Sequence, residues 1–145
     1  MVLGKITNFF DKLFLGPVND VEDVGHKLND LLPLYVLYKS DRRFHFLKIY
    51  IGSQIYSEAL KNLINSERPD RNDTCSFPSG HALSGFSSAE YSLHHLNNGK
   101  ITREVEILYT LATFLAYTRI HADRHRIRDV YGAYLISKIV NKEFK

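Results

Sequence analysis

The sequence predicts an all-α fold, a compact single-domain bundle of about five to six helices over residues 1–145. Three observations predict it. Apolar residues recur at helical spacing in several separate runs. Ser, Thr, Asn or Asp stands where a run begins, and Gly, Asn or Pro where it ends. Strand-like alternation is nowhere sustained, and the chain carries no repeats or low-complexity tracts.

In chain order, Ile6, Phe9, Phe10, Leu13 and Phe14 fall on one face of a short N-terminal helix that Gly16-Pro17 ends. Asn19 or Asp20 can cap the next helix, which carries Val21, Val24, Leu28, Leu31 and Leu32, with a kink expected at Pro33 before Tyr38. Ser40 or Asp41 can cap another, with Phe44, Leu47, Ile51, Ile55 and Leu60 near helical spacing. That helix should stop near Asn65, because Pro69 disfavours helix at Arg68. A polar loop, Asp70 to Ser76, is rich in turn formers. Pro78-Ser79-Gly80 opens a helix that Asn97-Asn98-Gly99 closes, Gly99 supplying the left-handed position. His94 and His95 near its end suit the negative pole of the helix dipole. Thr102 caps a further helix with Glu104 and Glu106 in its first turn, followed by Val105, Leu108, Leu111, Ala112 and Leu115. After a charged link, Val130, Tyr134, Leu135 and Ile139 mark the last.

A chain of 145 residues can bury a core without disulfides or structural metals. A net charge of +3 is far from the basicity of a dedicated nucleic-acid binder. Cys75 stands alone, so it can form no internal disulfide. The most apolar stretch, Ile107 to Thr118, is too short for the roughly 20 residues of a membrane span. Lys5, Asp11 and Lys12 interrupt the N-terminus, so no signal peptide is expected and the chain reads as soluble or peripheral to a membrane. The N-terminal apolar face packs on the domain, the commoner fate of such a face, or touches a membrane through residues 5–14.

Three blocks carry residues suited to an anion. In the first, Lys61 lies late in a helix and Arg68 just past its end, a mobile point charge and a planar fork that can share one pocket. In the second, Phe77-Pro78-Ser79-Gly80-His81, Ser79 at a helix start aims backbone N–H groups at an anion, Gly80 allows close approach, and His81 follows in the first turn. In the third, Arg119 adds a second guanidinium, and His125 and Asp129 are four apart. On a helix they would share a face and could hydrogen bond, leaving one imidazole nitrogen as a nucleophile. Each block alone also fits an ordinary solvated surface or a plain helix cap.

Together the order Lys-x6-Arg-Pro, Pro-Ser-Gly-His and Arg-x5-His-x3-Asp resembles the signature of the type 2 phosphatidic acid phosphatase and vanadium haloperoxidase superfamily. Ten fixed positions would match by chance on the order of 10⁻¹³ per alignment, so the blocks are read as one signature. Thr118 departs from the serine common before this arginine in the family, and the membrane-spanning helices of many relatives are not seen here.

The resemblance implies a single phosphatase-like domain that hydrolyses a phosphate monoester or pyrophosphate through a phosphohistidine intermediate. It implies His125 as nucleophile, Asp129 as its orienting partner, and His81 as the acid that protonates the leaving oxygen and the base that activates water. Lys61, Arg68, Ser79, the Gly80 amide and Arg119 would bind phosphoryl oxygens. Three cations and helix-end amides can neutralise the transferring group, so no metal or cofactor is expected. On residue type alone, His121, Asp123, His125 and Asp129 offer a competing metal reading, against which the surrounding arginines weigh. A vanadate-dependent haloperoxidase and a non-catalytic phospholipid- or anion-binding module are the alternatives. The expected partner is a phosphorylated small molecule or lipid, since the residues that select between them lie outside the signature.

Overall fold

A computed structural model of the chain describes residue 16 and residues 18–144. The apolar face of Ile6, Phe9, Phe10, Leu13 and Phe14 lies outside them, as does Pro17. Among the described residues there are five α-helices and no strand: α1 (Val21–Lys39), α2 (Arg43–Ile64), α3 (Gly80–Tyr91), α4 (Arg103–His121) and α5 (Ile127–Glu143). None of these helices is long and apolar enough to cross a membrane.

Local chemistry sets most of the boundaries. Asp20 accepts the Asp23 N–H at 2.9 Å, and the Asp23 carboxylate accepts the Asn19 N–H at 3.0 Å, a reciprocal cap on α1. Pro33 sits inside α1, which continues to Lys39. Its missing N–H frees the Asn29 carbonyl, and the Ser84 hydroxyl of α3 donates to that carbonyl at 3.0 Å. α2 begins one or two residues later than its expected caps. Arg42 is the N-cap and makes no side-chain cap bond, while the Ser40 hydroxyl, buried at the α1 end, accepts the Arg42 N–H at 3.1 Å. Asn65 ends α2 in the left-handed conformation. α3 passes into a π-turn, Ser92–Leu96, before the chain turns through Asn98 and Gly99, both at positive φ.

α3 is the central element, and α1, α2, α4 and α5 all pack on it. It is buried from Ala82 through Tyr91, including Ser84, Ser87 and Ser88. Small residues permit this. A Cβ on Gly85 would stand 3.2 Å from the Ala112 backbone of α4, so glycine here lets the two helices approach closely. Tyr50 and Ser84 hydroxyls meet at 2.7 Å, and the Ser88 hydroxyl donates to the Ser84 carbonyl at 2.9 Å, satisfying polar groups inside the core. Around α3 cluster Leu32, Val36, Phe46, Ile49, Leu83, Phe86, Leu108 and Leu115. Each such side chain, fully buried, contributes about 1.5–3 kcal/mol.

This packing brings the C-terminal ends of α2 and α4 to the N-terminal ends of α3 and α5. All three sequence blocks lie at those junctions. α1 packs on α4 at the same end: a Cβ on Gly25 would come within 2.1 Å of the Thr118 hydroxyl, so only glycine fits beside that residue.

Candidate active site

The loop from Asn65 to Ser79 is held by its own backbone and short side chains. Arg68 N–H donates to the Asp73 carbonyl at 3.0 Å, and Ser76 N–H to the Ser66 carbonyl at 2.9 Å. The Asp73 carboxylate accepts the Cys75 N–H at 2.9 Å and Arg68 Nε at 2.6 Å, and these bonds hold its pKa below the usual carboxylate value. Arg68 is thereby fixed past the end of α2. Lys61, in the last turn of α2, bonds Glu58 at 2.5 Å.

Ser79 is the N-cap of α3. It is fully buried and accepts the Ala82 N–H at 3.3 Å, while its own N–H donates to the Asp129 carbonyl at 3.1 Å. The positive end of α3 thus points into the cluster. A Cβ on Gly80 would stand 3.4 Å from Lys61 Nζ, which places that ammonium directly against the helix start.

α4 ends at His121, and the chain folds back on it. Asp123 turns at positive φ, and Arg124 and His125 both donate their N–H to the Arg119 carbonyl, at 3.1 and 3.2 Å. His125 therefore sits in the link before α5, not on a helix with Asp129. This corrects the expected pairing of the two. His125 Nδ1 lies 2.8 Å from the Ser76 carbonyl oxygen, whereas the nearer Asp129 oxygen is 4.0 Å away. The buried Asp129 carboxylate instead accepts the Ser76 hydroxyl at 2.6 Å and the Arg126 N–H at 2.8 Å. It ties the loop and the α5 start together beneath the imidazole.

Arg119 is almost wholly buried. One guanidinium nitrogen meets Glu22 of α1 at 3.1 Å, and its Nε is buried with no hydrogen-bond partner among the described residues. Arg124 spans Glu22 at 3.6 Å and Asp70 at 3.2 Å.

The electrostatics show how close these groups are. Burial, then the Arg68 charge, lower the His125 pKa to about 4 despite the Ser76 and Asp129 oxygens that oppose the shift. Burial, then Arg119, His26, His125 and Lys61, lower that of His81 to about 3. Lys61, Arg68, Arg119, His81 and His125 lie close enough that charges among them perturb the two imidazoles. The competing metal reading finds no support in the geometry: among the described residues, no three His, Cys, Asp or Glu side chains converge where they could hold an ion.

Ser76, Asp73, Glu58, Glu22 and His26 were not singled out in the sequence. Ser76 lies just outside a motif block. Glu22 and His26 are four apart and so share a face of α1, but nothing in their spacing points to a site shared with α3 and α4.

Fold and cluster together define a helical-bundle protein with histidines and cations gathered at one end of its helices. Residues 43–140 match the PAP2 superfamily, and the chain belongs to it. Its members are generally phosphatases, which assigns phosphatase-type activity at the coarse level. No solved structure matches the chain.

Proposed function

We propose that the protein hydrolyses a phosphate monoester or pyrophosphate, of a small molecule or a lipid, by transferring the phosphoryl group to Nε2 of His125 without a metal ion. The observation that carries this reading is the His125 ring. A carbonyl oxygen can only accept, so the 2.8 Å contact with Ser76 puts the proton on Nδ1 and leaves the lone pair on Nε2. With its pKa lowered to about 4, the imidazole is neutral and nucleophilic at neutral pH.

Lys61, Arg68 and Arg119 bind the phosphoryl oxygens, helped by Ser79 and the Gly80 amide at the α3 start. Each cation leans on a carboxylate: Glu58, Asp73 and Glu22 respectively. The buried Arg119 Nε, which has no partner among the described residues, is the donor an incoming oxygen would satisfy. Phosphoryl transfer asks mainly for positioning and for cationic charge around the equatorial oxygens, and this set supplies both. His81 protonates the leaving oxygen and later activates water. Asp129 acts at one remove, through the Ser76 segment that orients His125.

Rapid-quench labelling with a radiolabelled phosphate ester, worked up in alkali and mapped to peptides, tests this. Label on His125, absent together with turnover in His125→Ala, is expected. Label on His81, or robust turnover of His125→Ala with no label, would refute the assignment.

A further inference from the structure

His81 has a partner from outside all three motif blocks and outside residues 43–140. Nδ1 of His26, on α1, lies 3.3 Å from Nε2 of His81, the two rings meeting edge to face at 71°. One turn earlier, Glu22 Oε1 stands 3.7 Å from the other nitrogen of His26, and the same oxygen meets Arg119 at 3.1 Å. Glu22, His26 and His81 thus form a file whose middle member faces water: the His26 side chain is 54% exposed.

We propose that His26 is a proton relay for His81, supplying the proton that His81 gives to the leaving group and taking back the proton that His81 draws from water. The inference rests on the reading of His81 as acid and base given above, and deepens it.

The contact assigns the nitrogens of His81. Nε2 is engaged by His26, so Nδ1 is the nitrogen left to meet the leaving oxygen. The charged and titratable groups around the pair come from every neighbouring element: Glu22 from α1, Lys61 from α2, Arg119 from α4, and His125 from the link before α5. Most of these disfavour a second proton on His81, whose pKa lies at about 3. At neutral pH His81 therefore enters the reaction as a neutral ring, and a neutral imidazole is a poor acid unless a second proton follows the first.

The relay supplies that second proton, and it balances. The relay runs from the state in which His26 carries protons on both nitrogens and neutral His81 carries one on Nδ1. As the P–O bond breaks, the leaving oxygen takes the Nδ1 proton of His81, and Nε2 of His81 takes the Nδ1 proton of His26. Both rings are then neutral. When water attacks the phosphohistidine, its proton passes to Nδ1 of His81, and the Nε2 proton returns to Nδ1 of His26. The pair ends as it began, with no net exchange of protons.

The test compares an alkyl phosphate, which needs its leaving oxygen protonated, with p-nitrophenyl phosphate, which needs little protonation. The proteins are wild type, His26→Ala, His26→Asn, His81→Ala and the double variant His26→Ala/His81→Ala. Asn can keep the hydrogen bond to His81 but cannot carry the proton. His26→Ala and His26→Asn should each lose about tenfold or more in kcat/KM on the alkyl ester, with a much smaller loss on the aryl ester. The double variant should match His81→Ala. Equal losses on both esters, restoration by Asn, or losses that add to those of His81→Ala would overturn the relay. Should His81→Ala itself show no leaving-group selectivity, or wild type no hydrolysis of either ester, the underlying reading of the site falls instead.

Discussion

Nδ1 of His125 is bonded to the carbonyl oxygen of Ser76 at 2.8 Å, while the nearer oxygen of Asp129 stands 4.0 Å off. The imidazole tautomer is thus set by backbone, and the carboxylate beneath it organises the segment that supplies that backbone.

The distinction predicts an unusual tolerance. Asparagine at 129 can still accept from the Ser76 hydroxyl and the Arg126 N–H, and it leaves the Ser76 carbonyl in place. Asp129→Asn should lower kcat/KM by no more than about tenfold, against the roughly 10⁴ seen where a carboxylate directly fixes a catalytic imidazole. Asp129→Ala should instead cost about 3 kcal/mol of stability, because it strands two donors that Asp129 now accepts. Urea denaturation and steady-state kinetics on the two variants read these effects separately, and a collapse of kcat/KM in a well-folded Asp129→Asn would mean the carboxylate swings onto His125 during turnover.

Lysine should not replace either guanidinium. Arg68 is held by Asp73 through Nε, and Arg119 by Glu22 through a terminal nitrogen, which leaves further N–H groups of each fork for phosphoryl oxygens. An ammonium offers no such fork. Arg68→Lys and Arg119→Lys should each lose about 10²-fold or more in kcat/KM. Near-normal kinetics in both folded variants would reduce them to structural charges.

Inhibitor behaviour should follow the charge pattern. Vanadate, which adopts the five-coordinate geometry of the transferring group, should inhibit at micromolar-scale concentration, and EDTA should leave activity unchanged. Loss of activity in EDTA that is recovered by an added divalent cation would contradict a site run on Lys61, Arg68 and Arg119. Peroxide-dependent bromination in vanadate would point to haloperoxidase chemistry.

Acid should destabilise the fold through His125. Its folded pKa, about 4, lies below the ordinary 6.5, so between these values the unfolded chain binds more protons than the folded one. Stability from this group is fully present above about pH 6.5 and is lost as pH falls toward about 4, by about 3 kcal/mol in all. His81 shifts in the same direction. Urea denaturation at about pH 7 and about pH 4.5 should show a larger loss for wild type than for His125→Gln, which has no imidazole to protonate. Equal losses would show that His125 is not held neutral by the fold.

Much of the architecture was legible because it rests on neighbours in the chain. Asp20, Ser79 and Thr102 cap helices by bonding an N–H three residues on, and α2 ends at Ile64 with Asn65 left-handed, close to the expected stop before Arg68-Pro69. Where a boundary depended on packing, the expectation slipped. Ser40 is buried against another helix, and α2 takes Arg42 as its N-cap instead.

By itself, then, the sequence determined the helices, most of their ends, and which residue types could gather around an anion, since each of these follows from interactions within a few residues. Only the tertiary structure decided who touches whom at the site. It took His125 off the helix and gave its nitrogen to Ser76, and it carried Glu22 and His26 across the bundle to Arg119 and His81. Those contacts join residues 49 to 97 positions apart in the chain. The Glu22 and His26 contacts form where α1 packs on the bundle, held close to α4 at Gly25 and Thr118, and a contact distance, rather than any periodicity, sets that geometry.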